Sequence, residues 1–188
     1  MEAPKHPPVD KEHARLVTLG NTQTYIYKHG YVSEVCHGVK EHNPEAIKEM
    51  ADFLAKQIHS DCFLVPAPQH TGKAEYTLEI CKLIKKQVPY DVVILDIMGC
   101  TPRETLWAIK KAWQEANGTT DLSKQKFSSG MYLVDAIDNL EGPIYFVDNV
   151  VSTGTTLRDA EELIPNIKPL VFAVSAMYVF RPRGSSGE

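Results

Sequence analysis

The stretch that decides the fold is Ile144-Tyr-Phe-Val-Asp-Asn-Val-Val-Ser-Thr-Gly-Thr-Thr-Leu157. Its first four residues are apolar without interruption, which suits a strand buried on both faces; a half-exposed strand would alternate. Asp148 and Asn149 stand where that strand should end. Ser152-Thr-Gly-Thr-Thr156 then turns directly into a run with helical spacing. Small and hydroxylated residues let the backbone curl until several N–H groups point at one anion, and the helix N-terminus adds partial positive charge. Gly154 permits close backbone approach or a positive φ. Ser152, Thr153, Gly154, Thr155 and Thr156 are therefore a candidate phosphate cradle, with the Asp148 carboxylate beside it.

Working outward, the pattern alternates between strands and helices. Arg15–Leu19 and Thr24–Lys28 read as short strands. Asn43 caps a helix over Glu45–Ile58, with Pro44 at its first position. Cys62–Val65 is a buried strand ended by Pro66, Lys73–Gln87 a helix, Asp91–Asp96 a strand and Glu104–Glu115 a helix. Thr119–Gly130 is the least structured interior stretch, and Met131–Val134 a further strand. After the quoted segment, the spacing predicts a helix over Thr155–Leu163 and a last strand over Leu170–Met177. Near-continuous apolar strands separated by helices predict an α/β fold with an open, mostly parallel, doubly wound sheet. Ligands in such folds bind beyond the carboxyl ends of the strands, which directs attention to the loops after Val65, Asp96 and Val147.

Composition narrows the classes. With 188 residues, 43% of them hydrophobic, the chain supports one well-cored domain over 13–183, between a disordered leader at 1–12 and a tail at 184–188. Lys and Arg number 20 against 24 Asp and Glu, a net charge of −4, so no basic field argues for nucleic acid. No apolar run approaches a membrane span and the N-terminus lacks a secretory core, so a cytoplasmic protein without membrane association is expected. The cysteines Cys36, Cys62, Cys81 and Cys100 form no CxxC pair, which reads as reduced thiols with no metal site of their own. A parallel core of this size is compatible with a homodimer.

The Ile144–Thr156 segment resembles the phosphoribosyl pyrophosphate (PRPP) motif of the type I phosphoribosyltransferases: four apolar residues, two acidic, two apolar, then a small-residue phosphate loop. That resemblance implies a core over about 44–177 and a small hood built from parts of 13–40 and 177–183. It implies a Mg²⁺-dependent enzyme, the ion carried mainly on PRPP, that joins ribose 5-phosphate to a nucleobase or related nitrogen nucleophile and releases pyrophosphate. Asp148 and Asn149 would be the catalytic pair against the ribose hydroxyls, and the 152–156 loop would hold the 5′-phosphate. Pro66-Ala-Pro-Gln-His-Thr-Gly-Lys73 is similar to the pyrophosphate loop of the ComF-like and amidophosphoribosyltransferase branches, which makes Thr71, Gly72 and Lys73 candidates for pyrophosphate. A closing loop would lie within 98–130, with Arg103, Lys124 and Lys126 as its anion contacts. Tyr25, Tyr27, Tyr31, Tyr178 and Phe180 either stack on the base or pack in the core.

Two positions depart from that family. Asn149 replaces the second acid; its amide can bond a hydroxyl but supplies no second negative charge to an oxocarbenium-like ribose. Ser152 stands where the hypoxanthine–guanine enzymes carry Asp. Asn149 makes a PRPP- or nucleotide-binding regulatory protein with weak or no transfer one alternative; the Pro66 and Pro68 loop suggests another, a ComF-like accessory protein of DNA uptake, although no cysteine cluster marks its N-terminal zinc site.

Overall fold

The computed structural model describes residues 11–119, 125–137 and 140–180. The tail at 184–188, all but two residues of the leader, and Lys124 lie outside them. A short 3₁₀ turn at Lys11–His13 precedes β1 (Leu16–Leu19), β2 (Thr22–Ile26), α1 (Tyr31–Lys40), α2 (Pro44–Ala55), β3 (Cys62–Pro66), α3 (Tyr76–Gln87) and β4 (Val92–Ile94). Then follow β5 (Met98–Cys100), α4 (Leu106–Asn117), β6 (Met131–Leu133), β7 (Ile144–Val151), α5 (Thr155–Leu163), β8 (Lys168–Val174) and α6 (Ala176–Val179).

The main sheet has six strands in the order β1-β2-β8-β7-β3-β4, parallel except for the β1–β2 pair. β5 and β6 form a separate antiparallel ribbon. From β3 the chain passes through α3 to β4 at one edge, whereas from β7 it passes through α5 to β8 on the other side. The winding therefore reverses between the neighbours β3 and β7.

Both faces of the sheet are covered, as its apolar strands require. On one, Met50, Leu54, Ile80 and Ile84 from α2 and α3 pack with Leu64, Tyr145 and Phe172. On the other, Leu157, Ala160 and Ile164 around α5 pack with Phe146, Val171 and Val174. Tyr25 belongs to the first core, 4.6 Å from Phe53 and 5.2 Å from Phe172 between ring centroids, so this tyrosine packs and does not stack on a ligand.

The expected cap of α2 is present: Asn43 Oδ1 accepts from the N–H groups of Glu45 at 2.9 Å and Ala46 at 3.1 Å. α1 is a helix that the sequence pattern does not announce. Its buried face, Val32, Val35, Cys36 and Val39, has helical spacing, but β-branched residues and Gly38 have low helix propensity. Gly38 is needed for packing, because a Cβ there would lie 2.8 Å from Ala46 Cβ on α2. β7 runs four residues beyond Val147, through Val151, which pairs with Val174. Asp148 and Asn149 are consequently inside the strand and not past its end, because β8 supplies a parallel partner that far. β8 stops at Val174 and Ala176–Val179 is helical, where strand had been expected through Met177.

The segment before β6 is pinned to α5. The buried Asp159 accepts from the Ser129 N–H at 2.6 Å and hydroxyl at 2.7 Å, while Arg158 donates to the Phe127 carbonyl at 2.8 Å. Burial alone would raise the Asp159 carboxyl, but these bonds from Ser129, with Arg158, hold it below its ordinary value. α4 has no fully buried residue.

Phe172 has no exposed surface and is shared by three aromatic neighbours. Phe172→Ala should lower unfolding stability by about 3–5 kcal/mol, read from urea denaturation midpoints.

Candidate functional site

The reversal between β3 and β7 leaves a crevice at their carboxyl ends, the place where open α/β sheets bind ligands. A cleft of about 310 Å³ opens there. Asp148, Asn149, Ser152 and Thr156 line it from β7 and the turn that follows. Gln69, His70, Thr71 and Tyr76 come from the β3–α3 connection, and Arg103 and Trp107 from the segment after β5.

The turn after β7 is built as a cradle. Gly154 is the N-cap of α5 in the left-handed region, at φ 78, and α5 has no side-chain cap. The first-turn N–H groups of a helix have no intrahelical acceptors, so this end is left for a ligand or water. A Cβ at Gly154 would run into the Tyr178 ring. The Thr153 and Thr155 hydroxyls lie 3.1 Å apart, and Lys110 of α4 donates to them at 2.7 and 3.3 Å. An ammonium therefore already stands at the rim of the cradle.

Asp148 is partly buried, and its Oδ1 accepts the Asn149 N–H at 2.8 Å. Burial pushes its carboxyl up to about 6, against the opposing pull of that N–H and of the Lys40 ammonium. The carboxylate raises the Tyr76 phenol in turn, adding to the larger effect of burial. Asn149 is 3% exposed, and its Nδ2 has no hydrogen-bond partner among the described residues. An orphaned buried donor costs about 1–3 kcal/mol unless an acceptor arrives. Cys36 sits beneath, its thiol donating to the Asn149 carbonyl at 3.9 Å. Burial raises it to about 12, which makes it an inert thiol rather than a nucleophile.

The β3–α3 loop is organised by Gln69. Its side chain donates to the Ala67 carbonyl at 2.9 Å and accepts the Glu75 N–H, while its carbonyl accepts the Gly72 N–H at 2.9 Å. Gly72, at φ 114, passes its own carbonyl to the Cys100 N–H, and a Cβ there would lie 3.1 Å from the Cys100 carbonyl oxygen. The Thr71 hydroxyl donates to Glu75 at 2.8 Å. Of the three residues expected to meet pyrophosphate, Thr71 lines the cleft, Gly72 uses its N–H within the loop, and Lys73 is exposed and does not line it. Arg103 does, braced by the carbonyls of Ser129 at 3.0 Å and Glu104 at 2.8 Å.

The structure thus gathers Asp148, Asn149, Ser152, Thr156, Thr71 and Arg103 into one cleft. Asp148, Ser152 and Thr156 also border the small hollow that contains Thr153, Gly154 and Thr155. Lys126 lies away from it, lining a surface groove beside Arg158 and Glu162. Lys40, His42, Gln69, His70 and Trp107 also line the cleft, and Lys110 reaches the cradle, although none carries a motif signal of its own in the sequence. Lys40 is brought in by the end of α1 and His42 by the turn that follows it, and Lys110 by an exposed helix whose spacing gives no hint of which face meets the loop.

Between the ordinary 3.8 and the native value of about 6, the folded chain holds a proton on Asp148 that the unfolded chain releases. Its contribution to stability therefore falls as pH rises through that window. Asp148→Asn should raise stability by roughly 1–3 kcal/mol at about pH 7.5 and by far less at about pH 4, as paired urea titrations would measure.

No protein-family model matches this sequence and no curated protein matches it, so the functional reading rests on the geometry of the cleft.

Proposed function

We propose that the protein binds PRPP and transfers its ribose 5-phosphate to a nitrogen nucleophile, on a type I phosphoribosyltransferase-like fold. One observation carries the reading: the uncapped cradle at 152–156 and the Asp148 carboxylate share the crevice where β3 and β7 diverge. A phosphate monoester fits a helix N-terminus with converging hydroxyls, and a partly buried carboxylate beside it suits the ribose hydroxyls.

The cradle would fix the 5′-phosphate, with Lys110 at its rim adding a cation. Asp148 would accept from the ribose hydroxyls and oppose positive charge developing on the ring. Asn149 would offer its orphaned amide N–H to a ribose oxygen. Arg103 and the Thr71 hydroxyl would meet the pyrophosphate. As the new bond forms between the nucleophile's nitrogen and ribose C1, the C1–oxygen bond breaks and pyrophosphate leaves with the electron pair. Mg²⁺ would neutralise the pyrophosphate charge; the carboxylates that line the cleft are Asp148 and Glu75, a sparse donor set that fits an ion carried in on the substrate. α4, with no fully buried residue, is suited to moving when ligand enters.

A second reading, a PRPP-sensing protein with weak transfer, is favoured by the amide at Asn149. The two differ in turnover and share the pocket.

Calorimetry with Mg²⁺ and PRPP tests the pocket. Saturable binding is expected, weakened about 100-fold or more by Asp148→Ala or Gly154→Val. Absence of binding would sink both readings. Affinity should also fall as pH drops below about 6, because protonation removes the Asp148 anion that the ribose hydroxyls need.

Pyrophosphate release over a panel of nucleobases separates the two. Brisk turnover by the native chain supports the transferase. Turnover that emerges only with Asn149→Asp supports the sensor.

A further inference from the structure

A second and larger cleft, of about 620 Å³, lies beside the ends of β2 and β8. Its wall is built from the segment before β1, the β2–α1 connection, the first turn of α1, and α6. Among its eleven lining residues are His13, Arg15, Lys28 and His29, and none is acidic. In a chain with more acidic than basic residues, that one-sided set is a local feature of the fold and not a reflection of composition. Among the described residues, two full positive charges, Arg15 and Lys28, therefore face the same space with no carboxylate within salt-bridge distance.

The backbone adds to this. α1 has Gly30 as its N-cap, at φ 102, with no side-chain cap, and Gly30, Tyr31 and Val32 all line the cleft. The partial positive end of a ten-residue helix thus opens where the basic side chains converge. A Cβ built at Gly30 meets nothing within 4 Å, so there is room in front of that helix end. The rest of the lining is apolar. Ile26, Val32 and Ala176 contribute aliphatic surface, and Phe180 shows 59% of its area. The Arg15 guanidinium lies 5.9 Å over the Phe180 ring, so the cation and the aromatic ring meet as a cation–π pair in the cleft wall.

We propose that this cleft binds a small anion carried on a planar ring, of the nucleoside monophosphate class. Charge calls for a phosphate or carboxylate, the Phe180 face for a ring, and the volume lies within the range of small-molecule sites, about 300–1,000 Å³. The molecule is a second ligand. This cleft shares no lining residue with the one containing Asp148, and α6 stands between them: Ala176 and Phe180 face one side while Tyr178 packs on Gly154 at the other. The site does not depend on the PRPP reading.

Calorimetry on the full chain provides the test, with nucleoside monophosphates, benzoate and inorganic phosphate as probes. Saturable binding of at least one nucleoside monophosphate is expected. In the Thr153→Glu background, where a carboxylate in the other cradle removes any nucleotide held there by its 5′-phosphate, one binding event should remain, and Arg15→Glu/Lys28→Glu should weaken it about 30-fold or more. Phe180→Ala should weaken the nucleotide several-fold, roughly the scale of one stacking contact, and leave phosphate binding alone. Benzoate binding that the charge reversal abolishes would make a carboxylate an equal source of the anion. The proposal is overturned if no probe binds at concentrations up to about 5 mM, weaker than any useful small-molecule site. It is equally overturned if Thr153→Glu abolishes binding while the charge reversal spares it, or if inorganic phosphate binds as tightly as the nucleotides.

Discussion

The parallel pairing of β3 with β7 is the constraint on which the rest depends. Its register sets Phe63 against Ile144 and Pro66 against Val147, so the two strands reach the same rim of the sheet together. Because the chain leaves that pair in opposite directions, the connections after β3 and β7 part and cannot fill the space between them. The Gln69-ordered loop and the Gly154 turn face each other across that gap. The apolar faces of both strands are fully committed to the two cores, which holds the gap fixed. A site on such a base needs little reorganisation to meet a ligand.

Charge is what the gap stores. Asp148 is held where its ionised form is disfavoured, and Asn149 has an amide donor with nothing to bond. Both cost stability as they stand, the carboxylate through burial and the amide through a missing acceptor. The cation side is distributed over other elements, with Lys40 from α1, Arg103 from the segment after β5 and Lys110 from α4. Those elements are fastened with different strength. α1 is packed through five buried residues, whereas α4 buries none completely and meets the cradle through the Lys110 contacts.

α6 gives the carboxyl rim its second division. Four residues long, it touches the Gly154 turn through Tyr178 and the basic cleft through Ala176 and Phe180. One short helix therefore separates two cavities of different character. One joins a carboxylate to the uncapped N-terminus of α5. The other sets basic side chains and no acidic one around an apolar wall with an exposed aromatic ring.

Local pattern was enough for much of this. Four apolar residues before Asp148 suit a buried strand, Asn43-Pro44 suit a helix start, and the run after Ser152–Thr156 carries the helical spacing of α5. Those are short-range properties, fixed by backbone sterics, capping and periodicity. The tertiary structure decided whatever depends on which elements meet. It set Asp148 within β7 because β8 pairs with it as far as Val174. It used the Gly72 N–H inside its own loop, left Lys73 outside the cleft and brought in Lys40, Gln69 and Lys110. It also buried Tyr25 and left Phe180 beside Arg15, although sequence gave both the same aromatic reading. A side chain's charge and shape are written in the chain, but its neighbours, and with them its burial, its titration and its availability to a ligand, are set by the packing of segments distant in sequence.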